Sequence, residues 1–151
     1  MIEIDFDKIT GEVVSILEKE QSIVLATSSN DNVTARTMSH VNDGLTIYFQ
    51  TGASSEKYQQ IKINPNIAFA VGNMQIEAVA EICGHPNETP HFIELYKTKF
   101  PGYYELYTNH KEEVLIKATP RKIKFWKYID GAPCVETIDL TNKKAYRENY
   151  L

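Results

Sequence analysis

Arg36-Thr37-Met38-Ser39-His40-Val41-Asn42-Asp43-Gly44-Leu45-Thr46-Ile47-Tyr48-Phe49-Gln50-Thr51 holds two stretches of alternating strand pattern, separated by Asn42-Asp43-Gly44. A short glycine-containing connection between such stretches predicts a β-hairpin, so the two strands run antiparallel. If the loop is those three residues, Val41 faces Leu45 and Arg36 stands opposite Gln50; a two-residue loop moves Arg36 opposite Thr51. In either register the guanidinium lies beside the point where the second strand runs out through Thr51 and Gly52 into Ser54.

The next element reads as a helix. Ser54 is its expected N-cap, Tyr58 and Ile61 share a face, and Asn64-Pro65 stops the pattern. Lys57 then falls in the first turn, where a cation opposes the helix dipole at a cost of roughly 0.3–1 kcal/mol. A bound anion reverses that sign. Helix N-terminal amides, Ser54, Ser55, Lys57 and the nearby Arg36 together supply converging charge-assisted donors, which is what a phosphate monoester requires. The competing reading has Lys57 bending into water beside Glu56, with Arg36 on a half-exposed strand.

Outward from this segment, Phe6 to Lys19 has amphipathic helical spacing, with Ile9, Val13, Ile16 and Leu17 on one side. Ser22-Ile23-Val24-Leu25-Ala26-Thr27 is a nearly continuous apolar run and predicts a strand buried on both faces. Ser29-Asn30-Asp31-Asn32 turns the chain into the strand that carries Arg36. Asn66 to Gly72 and Gln75 to Cys83 are further strands, and a helix is expected over Asn87 to Lys99 with Pro90 in its first turn. Tyr103 to Tyr107 predicts a short helical turn. Val114 to Thr119 and Lys122 to Tyr128 read as two strands punctuated by Pro120, and Val135 to Asp139 as a last strand before a charged C-terminal segment. Strands in hairpin-like succession with few helices predict a mainly β (α+β) chain, an antiparallel β-barrel with peripheral helices, as a single domain over residues 1–151. No dinucleotide-type glycine motif follows a strand, and no Walker-type motif is present.

With 151 residues, 42% hydrophobic and 24% charged, the chain is long enough for a core without staples. A net charge of −4 and the lack of a basic stripe argue against a nucleic-acid partner. The basic residues between Lys117 and Lys127 alternate with apolar ones and read as the solvent face of a strand. Met1-Ile2-Glu3-Ile4-Asp5 has neither the cationic nor the apolar part of a secretory signal, no stretch reaches transmembrane length, and a cytoplasmic location is expected. Cys83 and Cys134 are expected to be reduced. Cys83-Gly84-His85 with His91 fits no common zinc spacing, so no metal is expected.

Leu25-Ala26-Thr27, Ala35-Arg36-Thr37-Met38, Tyr48-Phe49-Gln50-Thr51, Ser55-Glu56-Lys57 and Asn64-Pro65-Asn66 resemble, in order and spacing, the pyridoxamine 5′-phosphate oxidase-like family of FMN-binding split barrels. The resemblance runs from about Ser22 to the last strand. It implies a homodimer of split β-barrels with FMN in two clefts at the subunit interface. By the same match, Arg36 and Lys57 hold the flavin phosphate, Thr51, Ser54 and Ser55 add donors, and the backbone of Thr37, Met38, Phe49 and Gln50 lines the isoalloxazine ring. Gln75, or alternatively Asn73, reaches the flavin from the partner subunit. Trp126 lies on a late strand where relatives sometimes place an aromatic near the ring, and a core position is the other reading.

A flavin carries hydride chemistry itself, so the protein's task is binding and orientation rather than acid–base catalysis. This agrees with the lack of any triad or carboxylate pair in the sequence. His40 is a candidate proton donor, since alternation puts it on Arg36's face, although a lone strand histidine also serves as a structural group. Two departures from the family stand out: Ala78 replaces a frequent glycine, and the end Ala145-Tyr146-Arg147-Glu148-Asn149-Tyr150-Leu151 lacks the Arg-Leu-x-Pro substrate segment of true pyridoxamine phosphate oxidases. The resemblance therefore favours the general-stress and nitroimidazole-reductase-like branches. It implies an FMN-dependent oxidoreductase acting on a small organic acceptor at flavin N5. A non-catalytic flavin-binding or sensing protein, and a split barrel using haem or deazaflavin F420, are the alternatives.

Overall fold

In the computed structural model, which describes residues 1–150, the chain runs β1 (Ile2–Ile4), α1 (Phe6–Lys19), β2 (Ser22–Ser29), β3 (Asn32–Ser39), β4 (Val41–Asp43), β5 (Thr46–Gly52), α2 (Glu56–Ile63), β6 (Asn66–Val71), β7 (Met74–Ile82), α3 (Pro90–Lys99), β8 (Glu113–Ile129), β9 (Ala132–Asp139) and β10 (Lys144–Asn149). A 3₁₀ turn over Pro86–Glu88 precedes α3, and a π-helical turn over Tyr104–Thr108 follows it. The strands join in the order β1-β10-β9-β8-β7-β6-β2-β3, with β5 also on β8 and β4 on β5, and every pairing is antiparallel. This is the antiparallel split barrel with peripheral helices that the sequence predicts.

The 17-residue β8 is what joins the two parts of the barrel. Its first residues pair with β5, its last with β9, and its middle runs along β7. Leu25, Phe49, Phe69, Ile76, Ile116, Ile123 and Ile138 point inward from six strands and meet Val13 and Leu17 of α1. Those α1 residues, with Ile9, form one buried stripe at helical spacing, and Asp5 caps the helix by accepting from the Lys8 amide at 3.1 Å. On the other side of β5, Val41, Tyr48 and Leu115 pack against Phe92, Tyr96 and Phe100, which docks α3. β5 is thus clamped from both faces.

Four sequence expectations change. Arg36 pairs with Leu25 of β2, not with Gln50 or Thr51, because β3 and β4 are separate strands. The break is at His40, whose ring turns into the protein and sits 2.9 Å from the Leu17 carbonyl at the end of α1. The positive φ of Asn30 and Asp31 makes a tight turn that returns β3 onto β2, whereas β4 meets β5 through a loop of Gly44 and Leu45, with Asp43 opposite Thr46. β2 is buried on one face only: Ile23, Leu25 and Thr27 point inward, and Val24 is exposed.

Pro120 does not split its region into two strands. The ladder shifts register there, with Ala78 opposite Pro120 and Glu77 opposite Lys122, so a residue unable to donate sits where no regular bond is needed. Finally, the charged C-terminal segment is strand β10, paired with β9 on one side and β1 on the other. Its buried anchor is Ala145, opposite Ile138, and the buried Glu136 of β9 bonds Arg147, which lies opposite it, at 2.6 Å and Lys127 at 2.5 Å, which compensates the buried carboxylate. Among the described residues no helix is long and apolar enough to cross a membrane, and no cluster of His, Cys, Asp and Glu is placed to hold a metal ion. Cys83 and Cys134 are free thiols.

Candidate functional site

Arg36 is held by hydroxyls rather than carboxylates. Its Nη1 donates to Thr27 Oγ1 at 2.8 Å and more weakly to the Leu25 carbonyl at 3.4 Å, and Nη2 donates to Thr34 Oγ1 at 2.5 Å. Both threonine hydroxyls donate onward to Gln60 Oε1, at 2.5 and 2.7 Å. Gln60, 4% exposed, in turn donates from Nε2 to the Asn32 carbonyl at 3.3 Å. The chain of donors therefore runs one way, from guanidinium through hydroxyl to a buried amide oxygen. Of the five guanidinium N–H groups, the uncommitted ones are Nε–H and one on Nη2, a planar pair suited to two oxygens of one phosphate.

Lys57 comes from the start of α2. The N-cap of that helix is Ser55, not Ser54: Ser55 Oγ accepts from the Tyr58 amide at 3.3 Å and lies 2.9 Å from Thr51 Oγ1. Ser55 has the extended backbone that a cap requires, and Ser54 stays exposed one residue outside. Burial lowers the pKa of Lys57, Arg36 lowers it further, and Glu113 opposes both. Arg36 is also lowered by burial, with Glu56 opposing. Two half-buried cations that repel one another and have no salt-bridge partner among the described residues make a site for an anion.

Beside them opens a cleft of about 430 Å³ lined by Thr37, Met38, Ser39, Gln50, Thr51 and Lys57 together with Tyr96, Tyr103, Tyr107 and Glu113. The topology explains why backbone groups are available here. β3 has β2 on one edge and no strand on the other, and β4 covers β5 only from Thr46 to Tyr48. The edge of β5 beyond Tyr48 is therefore open, and so is the free edge of β3, which leaves hydrogen-bonding groups for a planar ligand.

Of the residues singled out in the sequence, Thr37, Met38, Gln50, Thr51 and Lys57 line one cleft, and Ser55 abuts it through Thr51. Arg36, next to Thr37, is not among the lining residues. The Phe49 side chain is buried in the core against Phe69, so only its backbone is left for a ligand. Gln75 lies on β7 opposite Lys124, outside the cleft, as does the partly exposed Trp126 opposite Val135. His40 does not join the site. It is 1% exposed at the end of α1, and burial, reinforced by Lys99, lowers its pKa to about 4.

Sequence reasoning missed Gln60, Thr108 and Glu113. Gln60 carried a usable signal, since it lies three residues after Lys57 and so shares its helix face. Thr108, fully buried, donates to Gln50 Oε1 at 3.0 Å and thereby leaves the Gln50 NH₂ for other acceptors. Glu113 pairs with Gly52 across β5 and β8; burial raises its pKa, against the pull of His110, His85 and Lys57. Neither Thr108 nor Glu113 has a local pattern that marks it.

A larger hollow of about 830 Å³ is lined by Ala26, Ala68, Ala78 and residues of the neighbouring strands. Its Lys122 lies across the ladder from both Glu77 and Asp139, so that charge has carboxylate neighbours in place. Arg121 lines the hollow too, and the smaller cleft is set apart by holding Thr37, Met38, Gln50, Thr51 and Lys57 together.

A family model described as pyridoxamine 5′-phosphate oxidase matches residues 9–127. No curated protein matches significantly. Among solved structures, general stress protein 26 from Bacillus anthracis is 22% identical with a TM-score of 0.67, over 87% of this chain and 98% of its own. A protein related to general stress protein 26, of the pyridoxinephosphate oxidase family, from Clostridium acetobutylicum is 17% identical with a TM-score of 0.70, over 93% and 99%. A FAD-binding protein from Mesorhizobium loti is 10% identical with a TM-score of 0.58, over 74% and 89%.

Proposed function

Since this chain belongs to the pyridoxamine 5′-phosphate oxidase-like split-barrel family, whose members are typically flavin-binding, we propose that it is an FMN-dependent oxidoreductase that reduces a small organic acceptor. The observation that carries this reading is the pair of half-buried cations Arg36 and Lys57, neither with a salt-bridge partner among the described residues, beside two open strand edges. The donor set fits a flavin mononucleotide. Arg36 presents two planar N–H groups, Lys57 a point charge, and Thr51 and Ser55 hydroxyls, all suited to a terminal phosphate. The open backbone of Thr37, Met38 and Gln50 suits the polar rim of a flat ring, and Ser54, next to the Ser55 cap, would add a donor to the phosphate.

When bound, the flavin supplies hydride transfer at N5. The chain's own contribution is binding and orientation: Gln60 fixes Arg36 through Thr27 and Thr34, and Thr108 fixes Gln50. The reading includes a homodimer in which Gln75 of a second copy reaches the ring across the interface.

Loading with FMN followed by desalting should leave a flavin absorption doublet; a colourless protein would refute the proposal. A Soret band in the freshly purified protein would instead indicate haem, and a deazaflavin spectrum F420. Replacing Arg36 and Lys57 by alanine should weaken FMN binding far more than riboflavin binding, because only FMN has the phosphate. Equal losses would remove both residues from the phosphate site.

A further inference from the structure

Two charges of opposite sign share the cleft without meeting. Lys57 and Glu113 both line it, yet neither forms a salt bridge among the described residues. The other titratable groups facing Glu113 are His85 and His110. His85 is held by two hydrogen bonds: Nδ1 accepts from the Asn87 amide at 3.0 Å while Nε2 donates to the His110 carbonyl at 2.9 Å. His110 donates from Nε2 to the Leu106 carbonyl, also at 2.9 Å. A phosphate on Arg36 and Lys57 would take up the charge of Lys57. Glu113 would then be a half-buried carboxylate with no cation of its own.

The wall next to it is aromatic and stiff. Tyr103 and Tyr107, 39% and 51% exposed, meet edge to face at 5.6 Å. Behind Tyr103 stacks Phe100 at 5.3 Å, then Tyr96 at 5.5 Å, Phe92 at 5.2 Å and Tyr48 of β5 at 6.2 Å. The rings at the mouth of the cleft are therefore backed by a column that reaches the sheet. Ring faces attract positive charge, and a carboxylate beside them adds to that attraction.

Resting on the flavin reading above, we propose that the tyrosine side of the cleft is a subsite for a planar aromatic cation, an N-alkylated heteroaromatic ring, with its charge toward Glu113 and its face on Tyr103 or Tyr107. A neutral ring gains the stacking alone, and an anionic one is repelled.

The test uses the full chain loaded with FMN and three probes of similar shape: 1-methylnicotinamide (cation), nicotinamide (neutral) and nicotinate (anion), titrated by calorimetry. The expected result is binding of the cation about tenfold tighter than the neutral probe, with the anion weakest. Glu113→Gln should bring the cation-to-neutral ratio close to one, and Tyr107→Leu should weaken both probes. Nicotinamide or nicotinate binding the wild-type protein as tightly as the cation would overturn the subsite, as would a preference unchanged in Glu113→Gln. The wild-type comparison decides the matter even if a variant does not fold. A protein that takes up no FMN overturns both readings, whereas one that takes up FMN and shows no cation preference overturns the subsite alone.

Discussion

His40 should make the stability of this protein depend on pH in a window where few other groups titrate. Its ring is 1% exposed, Nε2 lies 2.9 Å from the Leu17 carbonyl, and Nδ1 has no partner. Because a carbonyl only accepts, Nε2 carries the proton. The contact from Lys99 Nζ at 3.4 Å is then donor against donor, while Lys99 is held by the Glu20 carbonyl at 2.7 Å. A second proton on the ring would be buried beside an ammonium, which is why the folded pKa falls from 6.5 to about 4.

The unfolded chain therefore binds the proton first as pH drops, and stability is lost from about pH 6.5 down to about 4. With 1.36 kcal/mol per pH unit, the loss between pH 7.5 and pH 5 is about 2 kcal/mol, and it approaches about 3 kcal/mol at pH 4. Urea unfolding of the wild type and of His40→Gln, which keeps an N–H for the Leu17 carbonyl, isolates this contribution, because all other groups cancel in the comparison. Parallel pH dependence of the two proteins between pH 7.5 and pH 5 would refute the reasoning.

Gln60→Leu removes the acceptor on which both threonines rest, so it should lower FMN affinity relative to riboflavin by about 1–2 kcal/mol in calorimetry; an equal change for both flavins would show that Arg36 is not positioned through it. Thr108→Val frees the Gln50 amide near the ring rather than near the phosphate, and should weaken FMN and riboflavin alike, with selective loss of FMN counting against the assignment. Although burial opposes it, hydrogen bonds from Lys127 and Arg147 hold the Glu136 carboxylate below its ordinary pKa, so its stabilisation is present above about pH 4.5 and is lost on acidification through the folded value. Glu136→Gln should cost about 3 kcal/mol at pH 7 by leaving two cations facing a neutral amide, and a change within about 0.5 kcal/mol would contradict that.

The strands and helices were largely legible because their signals are local: the α1 stripe, the Asn30-Asp31 reversal and the apolar alternation of β6 and β7 each declare themselves within a few residues. Pairing was not. The Arg36 strand and the Tyr48 strand look like one hairpin in sequence, and only the inward turn of His40, decided by a carbonyl in a distant helix, hands β3 to β2. β10 was hidden because its one buried residue, Ala145, stands among charged residues, of which Arg147 is paired with Glu136 on the neighbouring strand. At the site, Lys57 and Gln60 are close in sequence and one leads to the other. Glu113, Thr108 and Gln50 meet only after β5 and β8 have paired, so no spacing rule finds them.

The two banks of the cleft differ in how firmly they are fixed. β5 is laced to β8 from Ile47 to Gly52, and β8 is itself bonded on its other side to β7, so separating this bank means breaking the barrel. β3 is bonded along one side only. Amide exchange should accordingly be slowest around Ile116 to Ala118 and much faster along Asn32 to Ser39, which places the breathing motion needed for a ligand to enter and leave on the Arg36 bank.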